Sequence, residues 1–452
     1  MADFDVIVIG AGPAGEVCAG RLGEAGLAVA IVEDHLIGGE CSYYACMPSK
    51  ALLRPAEILA EARRVPGARE AAAGELDVRA VLERRDEVIH GLDDSVQLPW
   101  LEQRGVTVVR GRGRLAGERL LQVGEETLVA RRAVVVATGS APFVPPIPGL
   151  AEARPWTNRE VTTAREAPSR LAILGGGVVA AEMAQAWSSL GSRVTVIERG
   201  PRLLPREDPF AGEQVAGTLR GRGVDLRLGT SAVEVVRNGA VRLLLDDGSE
   251  VEADELLVAT GRRPATGDLG LETVGLEAGA RIDVDETLRS TAHEWLYAIG
   301  DANGRALLTH MGKYQGRLAA DAILGRPLPL LSDGVRSPRV IFTDPQVGAV
   351  GYTLAAAEAA GLNVRAVDVE TGGNAGGSFV GKGAPGTARI VVDEDRSVLA
   401  GATITGAEVA EATHAFTIAV VGEVPLERLW HAVPAFPTRS ELWLRLLEEY
   451  GL

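Results

Sequence analysis

Cys41 and Cys46 lie five residues apart in Cys41-Ser42-Tyr43-Tyr44-Ala45-Cys46-Met47-Pro48-Ser49-Lys50, directly after Gly38-Gly39-Glu40. On an ideal helix this spacing puts the Cα atoms near the ~7 Å limit for a disulfide. A bridge there requires a bent or newly starting turn, whose positive end favours a thiolate. The alternative is a pair of buried structural cysteines. The glycines before the run and Pro48-Ser49-Lys50 after it weigh against that. Glu40, beside Cys41, is expected to raise the thiol pKa. Cys18 falls on the apolar side of a helix and reads as core. Three cysteines are too few for a secreted disulfide scaffold. The six histidines form no metal-ligand pair and no Cys-x-x-Cys occurs, so no structural metal site is predicted.

Glycines carry a second kind of chemistry. An apolar strand from Asp5 to Ile9 runs into Gly10, Gly12 and Gly15, then a helical stretch, then a strand ending in Glu33. The pattern repeats 165 positions on: a strand to Leu174, Gly175 and Gly177, Ala180 in the third glycine position, a helix, and a strand ending in Glu198. Each is a βαβ unit of roughly 30 residues whose glycines let the backbone approach a pyrophosphate at a helix N-terminus. The acid would accept hydrogen bonds from a ribose. A carboxylate at 198 repels a 2′-phosphate, which favours NAD(H) over NADP(H); Arg199 and Arg202 soften that preference.

These turns need layers to hold them. Ala133–Gly139 and Leu256–Gly261 both read as buried strands ending in turns, and a proline-rich linker follows the first. From about Arg336 the pattern becomes alternating strands, a helix over 407–421 and a C-terminal helix over 441–450. The fold class is therefore α/β: two Rossmann-like dinucleotide-binding domains plus a C-terminal α+β domain. The glycine-rich 372–386 segment predicts a mobile loop; its Gly381-Lys382-Gly383 lacks the spacing of a phosphate loop.

Composition closes off other classes. The 452 residues suggest about three domains. A net charge of −15 argues against nucleic acid and anionic membrane surfaces as partners. Apolar content of 46% excludes wholesale disorder. No apolar run reaches about 18 residues and no signal-like segment precedes the first strand, so a cytoplasmic protein is expected.

Taken in order, Gly10–Gly15, Glu33, the Gly-Gly-x-Cys-x4-Cys-x-Pro-Ser-Lys stretch, the two Ala-Thr-Gly turns, Gly175–Glu182, Tyr297–Ala302, Thr343–Gly348 and Gly406–Glu411 resemble the FAD-dependent pyridine nucleotide-disulfide oxidoreductases. The pattern is most similar to the dihydrolipoamide dehydrogenase branch, and it runs through nearly the whole chain. The resemblance implies an FAD-binding domain in two parts, 1–148 and 269–334, around an NAD(P)-binding domain, 149–268. A dimerisation domain, 335–452, implies a homodimer.

By the same resemblance FAD is held by Gly10, Gly12, Pro13, Ala14, Gly15, Glu33, Gly39, Lys50, Gly113, Thr138, Gly139, Ser140 and Gly300. Asp301 lies near the ribitol, and Leu307, Leu308, Thr309 and His310 lie along the isoalloxazine. The nicotinamide nucleotide falls to Gly175, Gly177, Val178, Val179, Glu182, Glu198 and Gly261. Lys50 and Glu182 pair near the flavin N5. Cys46 is the charge-transfer thiol facing the flavin, and Cys41 the interchange thiol that meets the substrate.

Two departures stand out. Most disulfide-reducing relatives end in His-Pro-Thr-x-Ser-Glu, where a partner-subunit His moves the proton in thiol–disulfide exchange and the Glu orients it. Here Phe436 stands at the histidine position, leaving Glu441 without its usual partner. A phenyl ring carries no proton, so acid–base help of typically ~10²–10⁴-fold is absent from that place. His431 is close in sequence but reads as a surface histidine. The second departure is Tyr43 and Tyr44, which either narrow the approach to Cys41 or simply pack.

The resulting expectation is an enzyme passing electrons from NAD(P)H through FAD to a Cys41–Cys46 disulfide and on to a small-molecule disulfide. The alternatives are a quinone- or metal-ion-reducing diaphorase with electrons leaving from the flavin, and a non-catalytic flavin subunit or redox sensor.

Overall fold

The computed structural model describes residues 2–452. The chain divides into two compact units. The first comprises residues through Pro48 with Asp86–Phe143 and Arg262–Gly334; the second comprises Ser49–Arg85, Val144–Gly261 and Val335–Leu452. Among the described residues no helix is long and apolar enough to cross a membrane.

The first unit is built on a seven-stranded sheet. Its parallel part runs in the order Val106–Arg110, Val29–Glu33, Ala2–Ile9, Glu126–Val136, Leu296–Ala298. Val6, Ile7, Val8 and Ile9 are all buried, because a parallel strand is covered on both faces and needs apolar side chains on each. Gly113–Gly117 and Leu120–Val123 extend the sheet as antiparallel strands. At the carboxyl end of the central strand the Gly10 N–H bonds the Val32 carbonyl and the Ala137 N–H bonds the Ile9 carbonyl, both at 2.8 Å. Three strand ends thus converge on one glycine turn, the position where open α/β sheets bind ligands.

Two helices cover this sheet end, Pro13–Glu24 and Thr309–Ile323. They approach closely because Gly312 and Gly316 carry no side chain: a Cβ on either would press against Ala14. A bidentate pair between Arg21 and Asp321 ties them further. Cys18 is fully buried in this core, and burial pushes its thiol up to about 12. The core reading of Cys18 therefore holds.

The second unit contains a four-stranded parallel sheet ordered Asp225–Leu228, Arg193–Glu198, Arg170–Leu174, Glu255–Val258. A three-stranded antiparallel sheet and a five-stranded antiparallel sheet complete it. The five-stranded sheet spans Arg339–Gly406 and is covered by the Val409–Val421 and Leu442–Tyr450 helices, whose Phe416 and Trp443 rings stack at 4.0 Å. The first of these helices starts two residues later than predicted, because Glu408 caps it in the left-handed region at φ 58°. The glycine-rich 372–386 stretch holds a short helical turn, Ala375–Ser378, capped by Asn374. A side chain at Gly376 would collide with the Thr438 backbone, so the glycine there serves a close approach.

Candidate active site

Gly38 and Gly39 adopt φ of 103° and 60°, which other residues rarely reach. They bend the chain so that Gly39 rests against Gly12, then start the short Gly39–Tyr43 helix that carries Cys41. Tyr44 (φ −135°, ψ 1°) breaks that helix, and Cys46 opens a new one, Cys46–Arg64. The break resolves the spacing problem: the two sulfurs belong to different helices rather than to opposite faces of one.

Cys41 and Cys46 are free thiols that hydrogen-bond one another. Cys46 Sγ lies 3.3 Å from the Thr309 hydroxyl, at the start of the Thr309–Ile323 helix. The Cys41 thiol is held well above its ordinary pKa, first by its hydrogen bond to Cys46, then by burial and the Cys46 charge. A hydrogen bond to Thr309 and the Lys313 ammonium pull it back down. Glu40 is not among these influences; its carboxylate lies 3.8 Å from the Arg262 guanidinium. The direction expected from sequence is right, but its cause is the neighbouring thiol. A dithiol in this arrangement closes to a disulfide by giving up two electrons and two protons.

Tyr43 is fully buried and Tyr44 nearly so, in a cluster with Ile89. The Tyr44 hydroxyl meets His35 Nε2 at 3.0 Å, and the two rings stack 5.6 Å apart. Both phenols are packing residues of the redox loop.

Whether this unit fits FAD is tested by its glycine turn. A Cβ at Gly10 would strike the Ala137 carbonyl, and one at Gly15 the Gly10 carbonyl, whereas a Cβ at Gly12 would meet nothing within 4 Å. The first and third glycines serve packing; the middle one fronts open space at the N-terminus of the Pro13–Glu24 helix, the shape a pyrophosphate requires. Glu33 takes the Ala11 N–H at 2.7 Å and the His35 N–H at 2.9 Å, which fixes its carboxylate at the strand end. Burial raises its pKa. Thr138 Oγ1 is buried with no partner among the described residues, an orphan that a ligand would satisfy.

Asp301 accepts from Ser140 Oγ at 2.5 Å, and Ser140 Oγ in turn accepts from Arg262 Nε at 2.7 Å. Burial raises the Asp301 pKa. Gly139, at φ 71°, turns the chain toward Ser140, and Gly300, at φ 65°, precedes Asp301. Gly113 opens a strand and is packed among Leu121, Val32 and Ile9. Leu307 and His310 are exposed, with Leu308 capping the helix that Thr309 begins. The residues present fit FAD.

In the second unit the Lys50 ammonium lies 2.8 Å from Glu182 Oε2, while Glu182 Oε1 accepts the Phe342 N–H at 3.0 Å. The Glu182 side chain is only 4% exposed, so this carboxylate is buried with both oxygens satisfied. The Lys50 ammonium also sits 4.8 Å from the Phe342 ring centroid. The sequence-predicted pair is brought together, 132 residues apart.

The second glycine turn repeats the logic of the first. A Cβ at Gly175 would strike the Ala259 carbonyl, while Gly177 and Gly261 front open space. Val178 and Val179 stand exposed on the first turn of the Val178–Ser189 helix. Glu198 is anchored through the Gly200 N–H at 2.6 Å. These residues fit a second nucleotide. Near the C-terminus Phe436 is 76% exposed and His431 is exposed. Glu441 Oε2 is buried without a partner among the described residues.

Sequence reasoning missed Arg262, the Phe342 backbone and Lys313, whose partners lie far off in sequence.

A family model described as pyridine nucleotide-disulphide oxidoreductase matches residues 4–316, and the dimerisation-domain model of the same family matches 337–446. The chain is 32% identical to the dihydrolipoyl dehydrogenase of Chlamydia muridarum over 97% of its own length and 95% of that protein's. It is 30% identical to the mercuric reductase of Staphylococcus aureus, over 97% and 81%. The Cu(II) complex of the HOCl-induced flavoprotein disulfide reductase RclA from Escherichia coli superposes with a TM-score of 0.86 at 25% identity, covering 99% of both chains. LpdA from Mycobacterium tuberculosis shares the fold at a TM-score of 0.86 and 24% identity, over the full length of both. The chain belongs to the pyridine nucleotide-disulphide oxidoreductases and is an FAD-dependent enzyme of that family, with the family's dimerisation domain at its C-terminus.

Proposed function

We propose that this enzyme passes two electrons from NAD(P)H, NADH by preference, through FAD to a Cys41–Cys46 disulfide and from the resulting dithiol to a small-molecule acceptor. The observation that carries this is the hydrogen-bonded sulfur pair seated on Thr309. FAD, when bound, supplies a two-electron hydride acceptor. Glu33 would hold its ribose and Asp301 its ribitol. The Lys50–Glu182 pair, with Glu182 fully satisfied, would hold a fixed positive charge for hydride transfer.

With a disulfide acceptor, the Cys41 thiolate attacks one acceptor sulfur and forms a mixed disulfide. The first acceptor thiolate leaves and takes a proton from water. Cys46 then attacks Cys41, reforming the internal disulfide and releasing the second thiolate. No side chain at position 436 delivers either proton, so this exchange is slow. The segment supplies no replacement, since Glu441 Oε2 is buried and Phe436 is apolar.

The same observation favours a second reading, a metal ion or quinone as acceptor. Reducing a metal ion requires no proton at a leaving sulfur, and Phe436 then costs nothing. Relatives named mercuric reductase and a neighbour solved with Cu(II) support this class. The dimer and the site residues are carried over from the family on the motifs that match.

The discriminating experiment is a steady-state assay of Cys41→Ser with NADH against lipoamide-type disulfides, quinones, Cu(II) and Hg(II). The proposal expects disulfide reduction to vanish. Activity with a quinone that persists in the variant identifies the flavin as the exit for that acceptor. Disulfide reduction that survives Cys41→Ser contradicts the proposal.

A further inference from the structure

Residues 33–37 tie the first glycine turn to the helix break between the two cysteines. The Glu33 carboxylate takes the His35 N–H at 2.9 Å as well as the Ala11 N–H. The His35 carbonyl accepts from Arg110 Nη1 at 2.9 Å. Arg110 also pairs with Asp94 at 2.7 Å, and Asp94 Oδ2 accepts the Ile37 N–H at 2.7 Å. The His35 backbone is therefore held from both sides. Its ring reaches the redox loop: Nε2 stands 3.0 Å from the Tyr44 hydroxyl, and the two rings lie 5.6 Å apart and within 11° of parallel.

Tyr44 is where the Gly39–Tyr43 helix ends; its N–H closes that helix on the Glu40 carbonyl at 2.8 Å. Cys41 lies three residues before it and Cys46 two after. A rotation about the Tyr44 backbone moves one sulfur relative to the other. Tyr43, beside it, is fully buried, with its hydroxyl 3.5 Å from the Asp93 carbonyl. Tyr43 is thus fixed by the core, whereas the Tyr44 hydroxyl is met by His35, a residue exposed to solvent.

We propose that His35 is a positioning residue for the dithiol: by gripping Tyr44 at the helix break, it holds Cys41 and Cys46 ready to close. This rests on the reading of the two sulfurs as the redox couple. When the pair closes, both S–H bonds break, an S–S bond forms, and two electrons and two protons pass to the oxidant. In the disulfide the covalent bond itself fixes the loop, so the His35–Tyr44 contact adds little. In the dithiol no covalent bond does so, and a loop released from His35 gains conformations in which the thiols stand apart. Losing the contact therefore favours the dithiol and raises the reduction potential of the couple.

The test is an anaerobic titration of FAD-loaded enzyme in mixtures of reduced and oxidised dithiothreitol, with free Cys41 and Cys46 alkylated by iodoacetamide and counted by peptide mass spectrometry. Oxidised dithiothreitol is the oxidant: its S–S bond is reduced as the enzyme's forms. His35→Phe keeps a ring to stack on Tyr44 and loses the hydrogen bond; Tyr44→Phe loses the same bond from the other side. Each should lower the equilibrium constant for disulfide formation roughly three- to tenfold, the worth of one such bond. The double variant should fall no further than either single one, because both remove a single interaction. The inference is overturned if His35→Phe leaves the constant unchanged, or if the two losses add as independent effects. A wild-type disulfide that dithiothreitol opens and NADH does not instead overturns the reading of Cys41 and Cys46 as the enzyme's redox couple.

Discussion

Cys46 Sγ stands 3.3 Å from Thr309 Oγ1 although 263 residues separate them. The hydroxyl is at the positive end of a 15-residue helix, where an anion on sulfur is favoured, and to a Cys46 thiolate the hydroxyl is the donor. Thr309→Val removes the donor and keeps the shape. A hydrogen bond to a charged group contributes roughly 1.5–3 kcal/mol, or about one to two pH units. The long-wavelength charge-transfer band of NADH-reduced enzyme should therefore need a pH about one unit higher to reach half its height. Absorbance spectra across a pH series measure this.

Lys50→Met leaves the Glu182 carboxylate with the Phe342 N–H as its one remaining partner in a nearly sealed site. Removing one member of a buried pair costs about 3–5 kcal/mol; Lys50 is partly solvated, so the lower figure applies. Urea melts should show that loss, and stopped-flow traces should show slower flavin reduction by NADH. Unchanged flavin reduction would remove Lys50 from hydride transfer.

Phe436→His restores a titratable group to a segment whose Glu441 Oε2 is buried and unpartnered among the described residues. Disulfide reduction should rise by at least ~10-fold, toward the ~10²–10⁴-fold range of acid–base catalysis. It should acquire a pH dependence near the ordinary histidine value of ~6.5. Quinone reduction should not change. No gain in disulfide turnover would mean that proton delivery is not what limits exchange.

Glu198→Gln keeps the side-chain size but removes the negative charge at the end of the Arg193–Glu198 strand. The ratio of kcat/KM for NADPH over NADH should rise roughly tenfold, corresponding to about 1.4 kcal/mol of relieved repulsion. Steady-state kinetics with both nucleotides check it.

The Glu16 carboxyl has a folded-state pKa raised above its unfolded value, to about 7, by burial. The folded protein therefore binds the proton more tightly, and stability on this account falls as pH rises from about 4.5 to about 7. Glu16→Gln removes that slope. Its stabilisation relative to wild type should be larger at pH 8 than at pH 5, by about 2 kcal/mol. Denaturant midpoints of the FAD-loaded proteins at the two pH values decide it.

The local parts of this molecule are legible in its residues. Val6–Ile9 running into Gly10-Ala11-Gly12 admits a buried parallel strand and a tight glycine turn, and the structure has both. Cys18 shows itself as core by its place in the helix pattern. The long-range relations are not legible. Nothing near Cys46 in sequence points to Thr309. Tyr43 and Tyr44 are ambiguous in sequence because a phenol packs as readily as it gates; His35 and Ile89 decide for packing. The break at Tyr44 has no Pro or Gly to announce it.

The most direct measurement is an anaerobic addition of one equivalent of NADH to the FAD-loaded enzyme, followed by alkylation and thiol mapping. Two new thiols, at Cys41 and Cys46, together with a long-wavelength absorbance band lost in Cys46→Ser, are the predicted result. Reduced flavin with no new thiol at either position would contradict it.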